Sequence, residues 1–193
     1  MYNIITTPNK LLLEKAKPVS RFDKKLKDIL KNMSETLNFT TDPIGVGLAA
    51  PQVGLSLRIF QMKPTENSKI ESFINPIIES TSEAEKIPQF ANSAKIESKK
   101  PNSSKNKLLE GCLSIPNIWG NVSRKKTVKL RWQDETGSTY MKEFSGFPAI
   151  IIQHETDHLN GILFTKHAIE QGEKLFKSHK NKNGEDKFDE LKI

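Results

Sequence analysis

Cysteine occurs once in the chain, as Cys112. No internal disulfide can form, and in a reducing compartment the thiol is available as a ligand or nucleophile. Long apolar runs are also missing: no stretch approaches the roughly 18 residues that a bilayer span requires, so no membrane partner is expected. Met1-Tyr2-Asn3-Ile4-Ile5 lacks the basic start and long apolar stretch of a secretion signal. Internal repeats are absent. Acidic charge is short of basic, 23 residues against 30, for a net charge of +7. That excess is compatible with an anionic partner such as RNA, but no nucleic-acid-binding motif accompanies it. A lysine-rich solvated surface accounts for the charge equally well.

The 193 residues suffice for one domain with a real core. Ser20 reads as the cap of a helix starting near Arg21, with Phe22, Leu26, Ile29, Met33 and Leu37 forming its apolar stripe. Residues 42–52, Asp-Pro-Ile-Gly-Val-Gly-Leu-Ala-Ala-Pro-Gln, read as a turn and loop whose glycines permit sharp bends or close approach. Extended segments follow at 57–62 and 72–80, with Pro76 at a bulge or edge. Residues 81–107 are rich in Ser, Asn, Lys and Pro and read as a polar surface insertion, with Ile87 and Phe90 as candidates to anchor its middle. Residues 127–134 alternate, with Val128, Leu130 and Trp132 on one face. Glu135-Thr136-Gly137-Ser138 then turns the chain into a return strand from 139. A helix is expected over 147–160, apolar in its first half and stopped by Gly161. A final helix is expected over 169–176, and residues 181–193 read as a charged, frayed tail after a catalytic unit spanning 1–180.

The pattern richest in chemistry is His154-Glu155-Thr156-Asp157-His158. On a helix, residues four apart share a face one turn apart, so both imidazoles can bind one ion. Glu155 beside the first of them is suited to general acid/base work. A catalytic site of this kind normally takes three protein ligands. Position 164, where one protease class would put the third, is Phe. Glu170 and Glu173 are downstream candidates of a second class. Cys112 is a third candidate, although a lone cysteine is most often a small buried hydrophobe. The residues alone leave the choice open.

Three blocks together resemble the peptide deformylase family: Gly45-Val46-Gly47-Leu48-Ala49-Ala50-Pro51-Gln52, Glu110-Gly111-Cys112-Leu113-Ser114, and Gln153-His154-Glu155-Thr156-Asp157-His158. Phe73-Ile74-Asn75-Pro76, Arg124 and residues 159–164 are similar as well, so the likeness covers most of 3–168. It implies an α+β fold: antiparallel strands packed around a central metal-binding helix, with an N-terminal and a C-terminal helix. It also implies a cytoplasmic, bacterial-type enzyme that removes the N-formyl group from the N-terminal formylmethionine of nascent polypeptides, releasing formate. By this resemblance Cys112, His154 and His158 hold one divalent ion, natively Fe2+, with Ni2+, Co2+ or Zn2+ as substitutes. Glu155 is the general acid/base, and the Gln52 amide and Leu113 N–H stabilise the oxyanion.

Val46, Phe147, Ile150 and Ile151 are expected to line a methionine slot, and the backbones of Val46, Gly47 and Gly111 to pair with the substrate. Glu110 and Arg124 are expected to support the cysteine loop. Asn117-Ile118-Trp119 stands where many family members carry a basic residue, so Trp119 either covers the substrate or packs. The basic segment 174–182 is expected to contact the ribosome. His167 and His179, outside the blocks, are expected to be structural or solvated.

Overall fold

Neighbouring residues on three strands belong to opposite apolar layers, and this places the central sheet between two helices. The computed structural model describes residues 1–41, 43–82, 109–182 and 184–192. The polar insertion expected over 81–107, with Ile87 and Phe90, lies almost entirely outside them. In chain order the elements are α1 Lys24–Phe39, β1 Gly47–Ala49, β2 Ile59–Met62, β3 Glu71–Thr81, β4 Leu109–Cys112, β5 Ile115–Asn121, β6 Thr127–Gln133, β7 Thr139–Ser145, α2 Phe147–Leu159, α3 Phe164–Glu170, β8 Leu175–Lys180 and β9 Asp186–Glu190. The strands form a five-stranded sheet ordered β1-β2-β3-β6-β7 and a four-stranded sheet ordered β4-β5-β8-β9. Every pairing is antiparallel. The fold is α+β, as expected.

Because side chains alternate across a strand, Leu48, Ile59 and Ile74 face the stripe Leu26, Leu30, Met33 and Leu37 of α1. Their neighbours Ala49, Phe60 and Phe73 face Ala149, Ile151, Ile152 and Leu159 of α2. Gln61 is the polar exception on β2. It is fully buried, and its amide donates to the Leu30 carbonyl at 3.0 Å and to Ser72 Oγ at 2.9 Å. A third cluster joins Cys112 and Ile115 to Phe164, Ala168 and Leu175 beneath the smaller sheet. Pro76 falls in a register shift of β3 between Ile74 and Ile77, the bulge that proline requires.

Four local expectations are corrected. Asp23, not Ser20, caps α1, its carboxylate accepting from Leu26 N–H at 3.1 Å. The preceding residues stay extended because Asn75 clamps Val19, accepting from its N–H and donating to its carbonyl, both at 2.8 Å. The final helix ends at Glu170 rather than running to 176. Gly172 takes positive φ, and Leu175 enters the third core cluster as part of a strand. The boundary drawn at 181 falls in the turn between β8 and β9, so 186–190 form a strand and not a frayed tail. Alternating charges had concealed it: Glu190 accepts from Lys174, and Asp186 pairs with Lys180 at 2.9 Å. In the loop expected over 42–52, β1 and a short 3-10 turn at Ala50–Val53 are ordered.

Gly161 ends α2 in the left-handed region at φ 71°. A Cβ there would overlap the Leu13 carbonyl, part of the segment that crosses the helix end. Gly161→Ala should therefore lower the unfolding free energy by about 1–3 kcal/mol from backbone strain alone; chemical denaturation checks this, and an unchanged midpoint would contradict it.

Candidate active site

α2 carries two histidines and a glutamate into the interior because its surroundings are apolar on nearly every side. Helical spacing puts His154 and His158 on one face, with ring centroids 5.1 Å apart. Cys112 comes from the end of β4, where the hairpin to β5 breaks register between Gly111 and Cys112. That irregularity turns the cysteine toward the helix. Its Sγ lies 3.2 Å from His158 Nε2. One donor atom from each of Cys112, His154 and His158 lies within 4.8 Å of the other two, the one such cluster among the described residues. A tetrahedral ion with bonds near 2.0–2.3 Å separates its ligands by about 3.5 Å, so these donors fit one with little movement. Glu170, the rival ligand, lies on the surface beside Lys166, and neither it nor Glu173 belongs to the cluster.

The protonation pattern suits the same role. Glu110 Oε2 lies 3.1 Å from His154 Nδ1. Burial raises the Glu110 pKa, but the charge and hydrogen bonds of Arg124 outweigh it and bring it down to about 2. An ionised carboxylate only accepts, so His154 Nδ1 carries a proton and Nε2 is left free to bind a cation. Burial likewise disfavours the Cys112 thiolate, but His158 and His154 hold its pKa at about 5. His154 itself is pushed upward by Cys112 and Glu110 against burial, so in the absence of an ion sulfur and imidazole share charge as a pair. A cation would displace that proton.

Glu155, buried by its surroundings, is raised to about 7, and its Oε2 has no hydrogen-bond partner among the described residues. Glu155 lines the cleft beside Cys112 and His154. Gly47 of β1 makes room for the carboxylate, since a Cβ there would overlap its other oxygen, Oε1. Gln52 is 2% exposed. Its Oε1 accepts from Ala49 N–H at 2.8 Å, which orients Nε2 toward Cys112 Sγ at 3.5 Å.

Arg124 binds the two ligand-bearing elements together. Its Nε and Nη2 donate to Glu110 at 2.7 and 2.9 Å, and its Nη1 donates to Asp157 at 2.6 Å. Asp157 also meets His167 Nε2 at 3.0 Å. Sequence reading missed Asp157 and set His167 aside. The signal was available only as a carboxylate next to a ligand, which is common on any helix. His179 contacts Asp189 on the hairpin surface.

A cleft of about 460 Å³ opens on this centre. Gly45, Val46, Gly47, Gln52, Glu110, Gly111, Cys112, Leu113, Phe147, Ile150, Ile151, His154 and Glu155 all line it, as does Trp119. His158 and Arg124 lie behind the wall, 1% and 6% exposed. The Pro64–Glu66 rim was not foreseen.

A model of the polypeptide deformylase family matches residues 1–174. The chain belongs to that family. A peptide deformylase of Borreliella burgdorferi is 38% identical over 178 residues, covering 92% of this chain and 94% of that protein. One from Thermotoga neapolitana is 39% identical over 163 residues, 84% of each. The crystal structure of peptide deformylase from Thermotoga maritima superposes with a TM-score of 0.68 at 35% identity, covering 86% of this chain and 97% of that one. No described helix is long and apolar enough to cross a membrane.

Replacing Arg124 by Met would strand Glu110 and Asp157, the first of them buried. Loss of one partner from a buried ion network costs about 3–5 kcal/mol, and urea denaturation of Arg124→Met should show a loss of that order. A change below about 1 kcal/mol would contradict the linkage.

Proposed function

We propose that the protein hydrolyses the formamide of N-terminal formylmethionine on newly made polypeptides, releasing formate and a free amine. The observation that carries this is the convergence of Cys112, His154 and His158 beside buried Glu155, in a cleft of a chain from the deformylase family. We assign the cytoplasm, where such chains emerge, as its location.

Cys112, His154 and His158 would hold one divalent ion. One thiolate and two imidazoles suit Fe2+, Ni2+, Co2+ and Zn2+ alike, and likeness to the family favours Fe2+ in the cell. When bound, such an ion lowers the pKa of a water and polarises the formyl carbonyl. Glu155 takes a proton from the attacking water as its oxygen adds to the formyl carbon. The C–N bond then breaks while Glu155 returns a proton to the amine nitrogen. Gly47 leaves the carboxylate free to reach both positions. Gln52 Nε2, oriented through Ala49, and the Leu113 N–H donate to the oxygen on which charge develops.

Val46, Phe147, Ile150 and Ile151 form the apolar slot for the methionine side chain. The backbones of Val46, Gly47 and Gly111 receive the peptide as an added strand. Gly45 permits the bend before β1, where a Cβ would come 2.9 Å from Leu37. Glu110 and Arg124 keep the cysteine loop in place. Ribosome contact through 174–182 would use an ordered strand, β8, with Lys174 and Lys180 already engaged by acids on β9.

Formate release from formyl-Met-Ala-Ser tests the reading. Glu155→Ala should reduce kcat by about 10²–10⁴, and Gln52→Ala by about 10²–10³. Cys112→Ala, purified without oxygen, should lose its bound metal by elemental analysis. Full activity in the Glu155 variant, or undiminished metal in the Cys112 variant, would refute the assignment. Chelation should abolish activity, and added Fe2+ should restore it.

A further inference from the structure

Trp119 stands at the cleft, yet what holds it lies in the C-terminal hairpin, directly after the residues that match the family model. On β5 it is paired with Gly111 of β4 on one side and with Phe176 of β8 on the other. Its ring lies over Gly111, where a Cβ would come 2.7 Å from Cζ3. The indole N–H donates to Ser178 Oγ at 3.1 Å. That hydroxyl also reaches the Asn117 carbonyl at 3.5 Å. Phe188 of β9 meets the indole edge-on, with centroids 6.0 Å apart and planes at 78°. The ring is thus gripped at its nitrogen and along an edge by two neighbouring strands, while it contributes to the wall of the cleft that holds Cys112 and Glu155.

The neighbours of Trp119 on the cleft wall differ from those of the methionine slot. The slot residues come from α2 and the approach to β1, whereas Trp119 belongs to the smaller sheet, beside the Gly111 backbone. A peptide added as a strand along Gly111 would run past the indole. Trp is an apolar surface of fixed shape with little rotamer freedom to lose, and it favours other aromatic and apolar groups.

We propose that the β8–β9 hairpin is a specificity element. Through Ser178 and Phe188 it holds Trp119 as the wall against which the residues after formylmethionine pack, and it selects peptides with an apolar, preferably aromatic, side chain there. Trp119 is the specificity-determining residue; Phe188 and Ser178 are positioning residues that act through it. The proposal rests on the deformylase reading above.

The test compares kcat/KM for formyl-Met-Phe-Ser and formyl-Met-Ala-Phe with that for formyl-Met-Gly-Ser, using the metal-loaded full chain. The unaltered protein should prefer at least one aromatic peptide, mainly through KM. Trp119→Ala should reduce that preference about 10-fold, the scale of one aromatic contact, and Trp119→Phe should retain more of it. Phe188→Ala should reduce it about threefold in the Trp119 background and not at all in Trp119→Ala, because Phe188 acts only through the indole. Phe188→Leu serves if Phe188→Ala unfolds, judged by its thermal midpoint. Equal loss on all three peptides, or a Phe188 effect that persists without Trp119, would overturn the proposal while leaving the deformylase reading intact. No formate from any peptide with the unaltered, metal-loaded protein would overturn both.

Discussion

One buried guanidinium sets the geometry of the site. Arg124 donates to Glu110, two residues before Cys112 on β4, and to Asp157, one residue before His158 on α2. The sulfur and the imidazoles belong to different layers of the fold, separated by more than forty residues. Hydrophobic packing brings such layers together but is non-directional. Arg124 adds direction, because its planar fork meets carboxylates only in particular orientations. A buried ion network contributes little net stability once desolvation is included. Its contribution here is position: it holds two elements so that three donor atoms face one point.

Glu110 serves both arrangements. Arg124 keeps it ionised, and as a carboxylate it holds His154 Nδ1 in the protonated tautomer. Asp157 extends the network to His167 at the start of the C-terminal part of the fold. The site is therefore supported from behind by charge and from below by the apolar faces of α2. Glu155, in contrast, has an oxygen with no hydrogen-bond partner among the described residues. The missing Cβ of Gly47 leaves room for that carboxylate.

The C-terminal hairpin extends the same logic to the cleft wall. Charges are paired across its strands, so it is an ordered element in place of a tail, and Ser178 and Phe188 meet Trp119, which lines the cleft from the smaller sheet. The cleft is thereby walled by both layers: α2 brings His154 and Glu155 to it, and the smaller sheet brings Cys112 and Trp119.

Much of this was legible in the residues. The His-Glu-x-x-His spacing, the apolar first half of α2 and the period-2 pattern of β6 are local, and local periodicity reports directly on which face is buried. Periodicity failed where tertiary contacts outweighed it. The Asn75 clamp on Val19 delayed α1, Gly172 cut α3 short, and β9 looked like a solvated tail because its charges alternate with few apolar residues. The sequence by itself determined which groups could do chemistry, through residue type and helical spacing, and left Cys112 and two downstream glutamates as rival third ligands. Only the tertiary structure brought Cys112, and neither glutamate, beside the two histidines, and revealed the link from Arg124 to Asp157 and the grip on Trp119. Those depend on distances between segments far apart in the chain, which no local pattern encodes.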